Sequence, residues 1–148
     1  MAKEIERKFL VISNDYRNQC IVVRNIEQGY LNRDPDRTVR VRIVDERAFL
    51  TVKTRNKGSV RDEWEYEIPE TDARKMLKKA CTGVIIKRRF IVPGSGGLTW
   101  EVDEFISPLA PTIAEVELPC EASSVELPSW VGQEVTGDER FYNSNIGQ

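Results

Sequence analysis

In segment after segment of this chain, charged and apolar residues alternate at a period of two. Glu4, Glu6 and Lys8 share one parity; Arg40 and Arg42 are set among Val39, Val41 and Ile43; Glu63, Glu65 and Glu67 alternate with Trp64, Tyr66 and Ile68. Lys53, the pair Lys87 and Arg89, the pair Glu101 and Asp103, and the pair Glu115 and Glu117 repeat the pattern. Successive side chains of a strand point to opposite faces, so these are strands with one charged and one apolar face. One such strand describes an ordinary sheet with a wet face. Here fifteen charged positions recur over seven strands, mostly as same-sign neighbours two residues apart. Like charges side by side are destabilising unless something offsets them. A closed barrel with its charged face inward resolves the conflict, and eight antiparallel strands enclose just enough room for one small ligand.

Eight segments carry the alternation, at about 3–12, 22–31, 38–45, 48–55, 61–69, 84–93, 97–106 and 112–119, divided by Gly, Pro, Asn and Asp. Residues 70–82 read as a helix: Thr71 can cap it, Ala73, Met76, Leu77 and Ala80 recur at helical spacing, and Gly83 can end it. Short helices are expected over 13–19 and 121–129. The predicted fold is α+β, mainly β: a closed eight-stranded antiparallel β-barrel with a few flanking helices, in one domain over 1–148. The charged N-terminus has no apolar h-region, no run approaches a membrane span, and Cys20, Cys81 and Cys120 form no disulfide pattern, so a cytoplasmic placement is expected.

The chain has no histidine. That excludes a Ser-His-Asp nucleophile, a His general base and any His-ligated zinc site. Inside a barrel, parity places nine carboxylates (Glu4, Glu6, Glu63, Glu65, Glu67, Glu101, Asp103, Glu115, Glu117) against six cations (Lys8, Arg40, Arg42, Lys53, Lys87, Arg89), a balance of −3. Such a chamber repels an anion until divalent cations fill the deficit. Carboxylates two apart on a strand, with Cα atoms about 6.5 Å apart, suit a hard oxygen-bound cation, Mg²⁺ or Mn²⁺, one ion or two. Arginine forks bind phosphate oxygens bidentately. Metal, Arg and Lys together are the apparatus of phosphoryl transfer.

Glu4-Ile-Glu6-Arg-Lys8 at the N-terminus resembles the ExExK signature of the CYTH superfamily, the triphosphate tunnel metalloenzymes. Gln28-Gly-Tyr-Leu31, Val39-Arg-Val-Arg42, Thr51-Val-Lys53, Glu63-Trp-Glu65, Lys87-Arg-Arg89, Glu101-Val-Asp103, Glu115-Val-Glu117 and Glu134-Val-Thr-Gly-Asp-Glu-Arg140 follow in that family's order. The short chain looks most like the small bacterial members, several of which hydrolyse inorganic tripolyphosphate. The resemblance implies Glu4, Glu6, Glu115 and Glu117 as metal ligands, with Glu4, Glu6, Lys8, Glu63, Glu65 and Asp103 in catalysis. It implies Lys8, Arg40, Arg42, Lys53, Lys87 and Arg89 as phosphate grips and Arg140 in a lid over one mouth.

The leading expectation is a metal-dependent hydrolase that cleaves the terminal phosphate of tripolyphosphate. Alternatives are a nucleotide-acting member (class IV adenylate cyclase, nucleoside or thiamine triphosphatase) or a non-catalytic module that binds polyphosphate or nucleotide. A ring-bearing substrate would want an aromatic platform, and Trp64 and Trp100 fall on the outward parity. No nucleic-acid or membrane partner is expected; the oligomeric state, a homodimer included, is open.

Overall fold

The computed structural model describes residues 3–146. Nine strands and one α-helix follow the chain: β1 (Lys3–Val11), β2 (Val22–Asn32), β3 (Arg37–Val44), β4 (Arg47–Thr54), β5 (Val60–Ile68), α1 (Glu70–Lys79), β6 (Thr82–Pro93), β7 (Thr99–Ser107), β8 (Ile113–Glu117) and β9 (Val131–Glu134). Eight of them pair antiparallel in the order β5-β4-β3-β2-β6-β7-β8-β1, and β5 returns to β1 to close the barrel. Among the described residues the closing seam sets Lys3, Glu4 and Ile5 opposite Asp62, Arg61 and Val60. Beyond it the same edge of β1 passes to β9, where Phe9 faces Glu134 and Val11 faces Val131. The extra strand covers an edge that β5 leaves unpaired.

The apolar parity packs outside the barrel in two places. Phe9, Phe90, Trp100, Val102, Ala114 and Val116 meet Tyr16 and Trp130 from the connecting segments, with Trp100 and Trp130 edge-to-face at 5.6 Å. On the other side α1 lays Ala73 and Leu77 onto Val41, Ile43 and Ala48. Inside, one end of the barrel also turns apolar. Ile85, Phe105 and Ile113 share parity with Lys87, Asp103 and Glu115 and pack with Tyr30, Ile146 and Phe141. The interior is therefore charged along its middle and closed by apolar side chains of the C-terminal segment at this end.

The eight expected strands are present to within about two residues. The expected helices differ. Helix α1 starts after Pro69, whose extended backbone occupies the N-cap position with no side-chain cap, and Thr71 lies in the first turn. Acidic Glu70 and Asp72 favour that helix end electrostatically. Gly83 lies within β6 at φ +65° rather than ending the helix. Residues 13–19 hold a 3-10 turn at Asp15–Asn18 that buries Tyr16. Residues 121–129 form no helix, and a turn at Cys120–Ser123 leads to β9. With one α-helix among the described residues, much of the barrel exterior is covered by irregular segments anchored through Tyr16 and Trp130. No helix among the described residues is long and apolar enough to cross a membrane.

Candidate active site

Parity alone aims the charged side chains at one another, and the barrel's closure fixes which meet. A cavity of about 240 Å³ runs along its middle. Glu4, Glu6, Lys8, Arg40, Arg42, Lys53, Glu63, Glu65, Arg89, Glu101, Glu115 and Glu117 all line it. In the strand order β3 and β8 lie four strands apart in either direction, so they face each other across the barrel. Arg40 and Arg42 form the β3 wall. Opposite them, register pairs Glu6 with Glu117 and Glu101 with Glu115 as direct cross-strand neighbours. The chamber is polarised, with an arginine wall and a carboxylate wall.

Four of the expected positions need correction. Lys87 and Asp103 are buried behind the lining: Lys87 Nζ donates to Asp103 at 2.7 Å, and Arg89 Nε donates to the same carboxylate at 2.8 Å. Both Asp103 oxygens are thus engaged by these two cations. Glu67 shares the inward parity, but at the end of β5 it is exposed and paired with Arg47 at 2.8 Å. The Arg140 side chain is 80% exposed and pairs with Asp138, which caps the 3-10 turn at Glu139–Phe141. From that segment Tyr142, Asn143 and Ser144 line the chamber instead. Arg88 is exposed, as its parity implies.

One cation was missed. Arg61 lines the cavity, donates from Nε to Glu4 at 2.9 Å and approaches Glu6 at 3.5 Å. Its parity with Glu63 and Glu65 carried that signal. With Arg61 inside and Glu67 outside, eight carboxylates face seven cations and the balance is −1, not −3. The case for a metal therefore rests on where the acids sit rather than on their number.

Glu6 shows this most clearly. Burial, with Glu115 and Glu4 alongside, pushes its pKa up to about 8. Burial also raises Glu117, with Glu4 and Glu101 adding repulsion. Burial opposes ionisation of Glu115 too, but Lys8, Arg89 and a hydrogen bond from Glu6 hold it well below the ordinary range. Burial likewise disfavours the Glu4 carboxylate, yet Lys53, a hydrogen bond from Glu63 and Arg61 hold it low. Glu6 and Glu115 thus repel each other where a cation would relieve both. Among the described residues no three acids already converge on one point. The donors that line this wall are carboxylates, which suit a hard cation that completes its shell with water and phosphate oxygens. On this donor chemistry the residues fit a hard divalent cation.

The basic wall has the complementary fault. Arg40 Nε is buried with no hydrogen-bond partner. Arg42 makes no carboxylate ion pair among the described residues, and its Nε donates to the neutral Gln28 carbonyl at 2.8 Å. Burial, with Arg40 and Arg89 nearby, lowers the Arg42 pKa to about 9, so it is cationic at neutral pH. Arg40 reaches Glu65 only from a terminal nitrogen, at 3.7 Å, so its orphaned Nε and the unpaired charge of Arg42 together call for an anion.

A pH dependence follows. Between its ordinary value of 4.5 and about 8, Glu6 holds a proton in the folded protein that the unfolded chain releases. Stability of chelated protein therefore falls as pH rises through that window. Below about pH 4.5 the contributions of Glu4 and Glu115, both held low, are lost instead. Burial lowers Lys87 to about 7, so above that pH the unfolded chain binds the extra proton and stability gains with pH. Thermal unfolding in chelator should show a maximum near pH 5, a fall to pH 7, a levelling between 7 and 8 and a rise above 8. Titration of Mn²⁺ at pH 7 should release about one proton, measured by calorimetry in buffers of different ionisation enthalpy. A Tm that rises steadily from pH 5 to 7 would contradict this.

The comparisons agree with this geometry. The CYTH domain model matches residues 2–142. An inorganic triphosphatase of Acetivibrio thermocellus is 42% identical over 147 residues, covering 99% of this chain and 94% of the relative. One from Nitrosomonas europaea is 36% identical over 149 residues, covering 97% and 95%. The crystal structure of an inorganic triphosphatase superposes with a TM-score of 0.66 at 32% identity, covering 97% of each chain. With a closed eight-stranded barrel, an inward ExExK strand and a match over nearly its whole length, the chain belongs to the CYTH domain family.

Proposed function

We propose that this protein hydrolyses inorganic tripolyphosphate to pyrophosphate and phosphate in the barrel chamber, with Mg²⁺ or Mn²⁺ as cofactor. The orphaned Arg40 Nε beside an Arg42 with no carboxylate is the observation that carries it: a chamber built to receive an anion with several oxygens. The two similar triphosphatases support the same reading. Water attacks the terminal phosphorus, the bridging P–O bond breaks, and pyrophosphate leaves with the electron pair. Arg40, Arg42 and Arg89 bind and orient the phosphates, and Lys8 and Lys53 add charge from the neighbouring strands. Glu6, Glu115 and Glu117 would hold the metal, with Glu4 at their side. When bound, the metal supplies charge neutralisation on the phosphate oxygens facing the acidic wall. Lys87 and Asp103 hold Arg89 in place from behind.

The size of the chamber favours a substrate without a ring. Its 240 Å³ lies below the range of roughly 300–1,000 Å³ typical of drug-sized ligands. Trp100 and Trp130 are in the outer core, and Lys8 Nζ already occupies the Tyr142 ring face at 5.6 Å.

Arg42→Ala should raise KM for tripolyphosphate about hundredfold, since a bidentate charge-assisted contact is worth roughly 3 kcal/mol. Arg42→Lys should recover only part, because a point charge cannot replace the fork. Steady-state phosphate release with Mg²⁺ measures both. An unchanged KM in Arg42→Ala would remove the arginine wall from substrate binding.

A further inference from the structure

A pair of amides, Gln28 and Asn143, links one cation of the chamber to the buried lysine behind its lining. Gln28 is 0% exposed, on β2 next to β3, and its Oε1 accepts from Arg42 Nε at 2.8 Å. Its Nε2 donates to Asn143 Oδ1 at 3.3 Å, and the same oxygen accepts from Lys87 Nζ at 2.9 Å. The orientation of both amides is dictated by their neighbours. Arginine and lysine have no acceptor, so Gln28 must turn its carbonyl to Arg42, and Asn143 must turn its carbonyl to Lys87 and Gln28. The relay runs from β3 through β2 and the C-terminal segment to β6. Arg89, Lys53 and Arg61 are each steered by carboxylates that also cancel their charge. Arg42 alone among these is steered by a neutral oxygen. Its Nε is spent on Gln28, which leaves both terminal NH₂ groups for an anion.

We infer that Gln28 and Asn143 are positioning residues that aim Arg42 without neutralising it, with Asn143 tying the relay to the buried Lys87–Asp103 pair, which keeps the arginine wall cationic for the phosphate chain. The inference rests on the proposed tripolyphosphate hydrolysis. It also gives the C-terminal segment a part in the site through Asn143, in a region where the family-like motif suggested Arg140.

The isosteric change Gln28→Glu separates steering from charge. A carboxylate there can still accept from Arg42 and pairs with it, so folding is retained or improved while the anion-binding charge is cancelled. The expected result is a KM for tripolyphosphate raised at least about tenfold, with kcat at saturation within about twofold and Tm unchanged or higher, in Mg²⁺ at pH 7.5. Asn143→Ala, which removes the oxygen that holds Gln28 Nε2 and so loosens the aim of the Gln28 carbonyl, should raise KM in the same direction and carries the test if Gln28→Glu does not fold. Gln28→Asn, one methylene short, should sit between wild type and Gln28→Glu. An unchanged KM in the folded isosteric variant, or a lowered Tm with KM intact, would show the amides to be packing only and overturn the inference. If wild type releases no phosphate from tripolyphosphate, the proposed function fails first, and that failure is visible before any variant is measured.

Discussion

Asp103→Ala should destabilise the protein more than the loss of any other chamber acid. Asp103 is 2% exposed and accepts from Lys87 at 2.7 Å and from Arg89 at 2.8 and 2.9 Å. Without it Lys87, itself 0% exposed, keeps only the Asn143 carbonyl, and Arg89 keeps only Glu101 at 3.4 Å. Removing one partner of a buried pair costs roughly 3–5 kcal/mol, because the remaining charge stays out of water. For a chain of this size that is a fall in Tm of about 10 °C or more. The deficit should narrow as pH rises toward 7 and stay level above it, since Lys87 without Asp103 gives up its proton below 7, whereas above 7 wild type and variant gain alike. Thermal melts of both proteins at pH 5 and pH 8 check both parts. The exposed pair Arg47–Glu67 supplies the contrast: Glu67→Ala should shift Tm little.

Glu6→Gln should do the reverse, abolishing activity while sparing the fold. Near neutrality Glu6 already carries a proton in the metal-free protein, so the neutral amide replaces a neutral acid. The expected loss in metal-dependent turnover is roughly thousandfold or more, the scale of several kcal/mol of metal-derived stabilisation. The fall in Tm between pH 5 and 7 predicted for chelated wild type should disappear, and Mn²⁺ should no longer release a proton at pH 7. A Glu6→Gln protein with wild-type turnover would remove the acidic wall from the chemistry.

The alternation at period two exposed most of this. Because the barrel keeps one parity inward along each strand, twelve of the expected chamber residues could be read without coordinates. The same rule should have caught Arg61, two residues before Glu63. Parity failed where it ran past the end of the chamber. Glu67 obeys the pattern yet lies at the rim, because alternation says which face a side chain takes and nothing about its height along the barrel. It also could not tell lining from wall: Lys87 and Arg89 share a face, but Phe105 and Asn143 cover the first. The C-terminal segment was the least legible. Residues 139–146 follow no period, and their place is set by long-range contacts such as Lys8 Nζ to the Phe141 carbonyl at 3.1 Å and the packing of Ile146. Strand β9 is only four residues long, too short to show a pattern, and exists because β1 offers it an open edge.

The central claim is that a polarised chamber selects and cleaves a linear triphosphate with the aid of a divalent ion. Phosphorus-31 NMR of tripolyphosphate, ATP and pyrophosphate, each incubated with the protein in Mg²⁺, in Mn²⁺ and in chelator, tests it most directly. The account predicts conversion of tripolyphosphate to equimolar pyrophosphate and phosphate with either metal, pyrophosphate left intact, ATP cleaved far more slowly, and no reaction in chelator. Turnover of ATP ahead of tripolyphosphate, or turnover that survives metal removal, would contradict it.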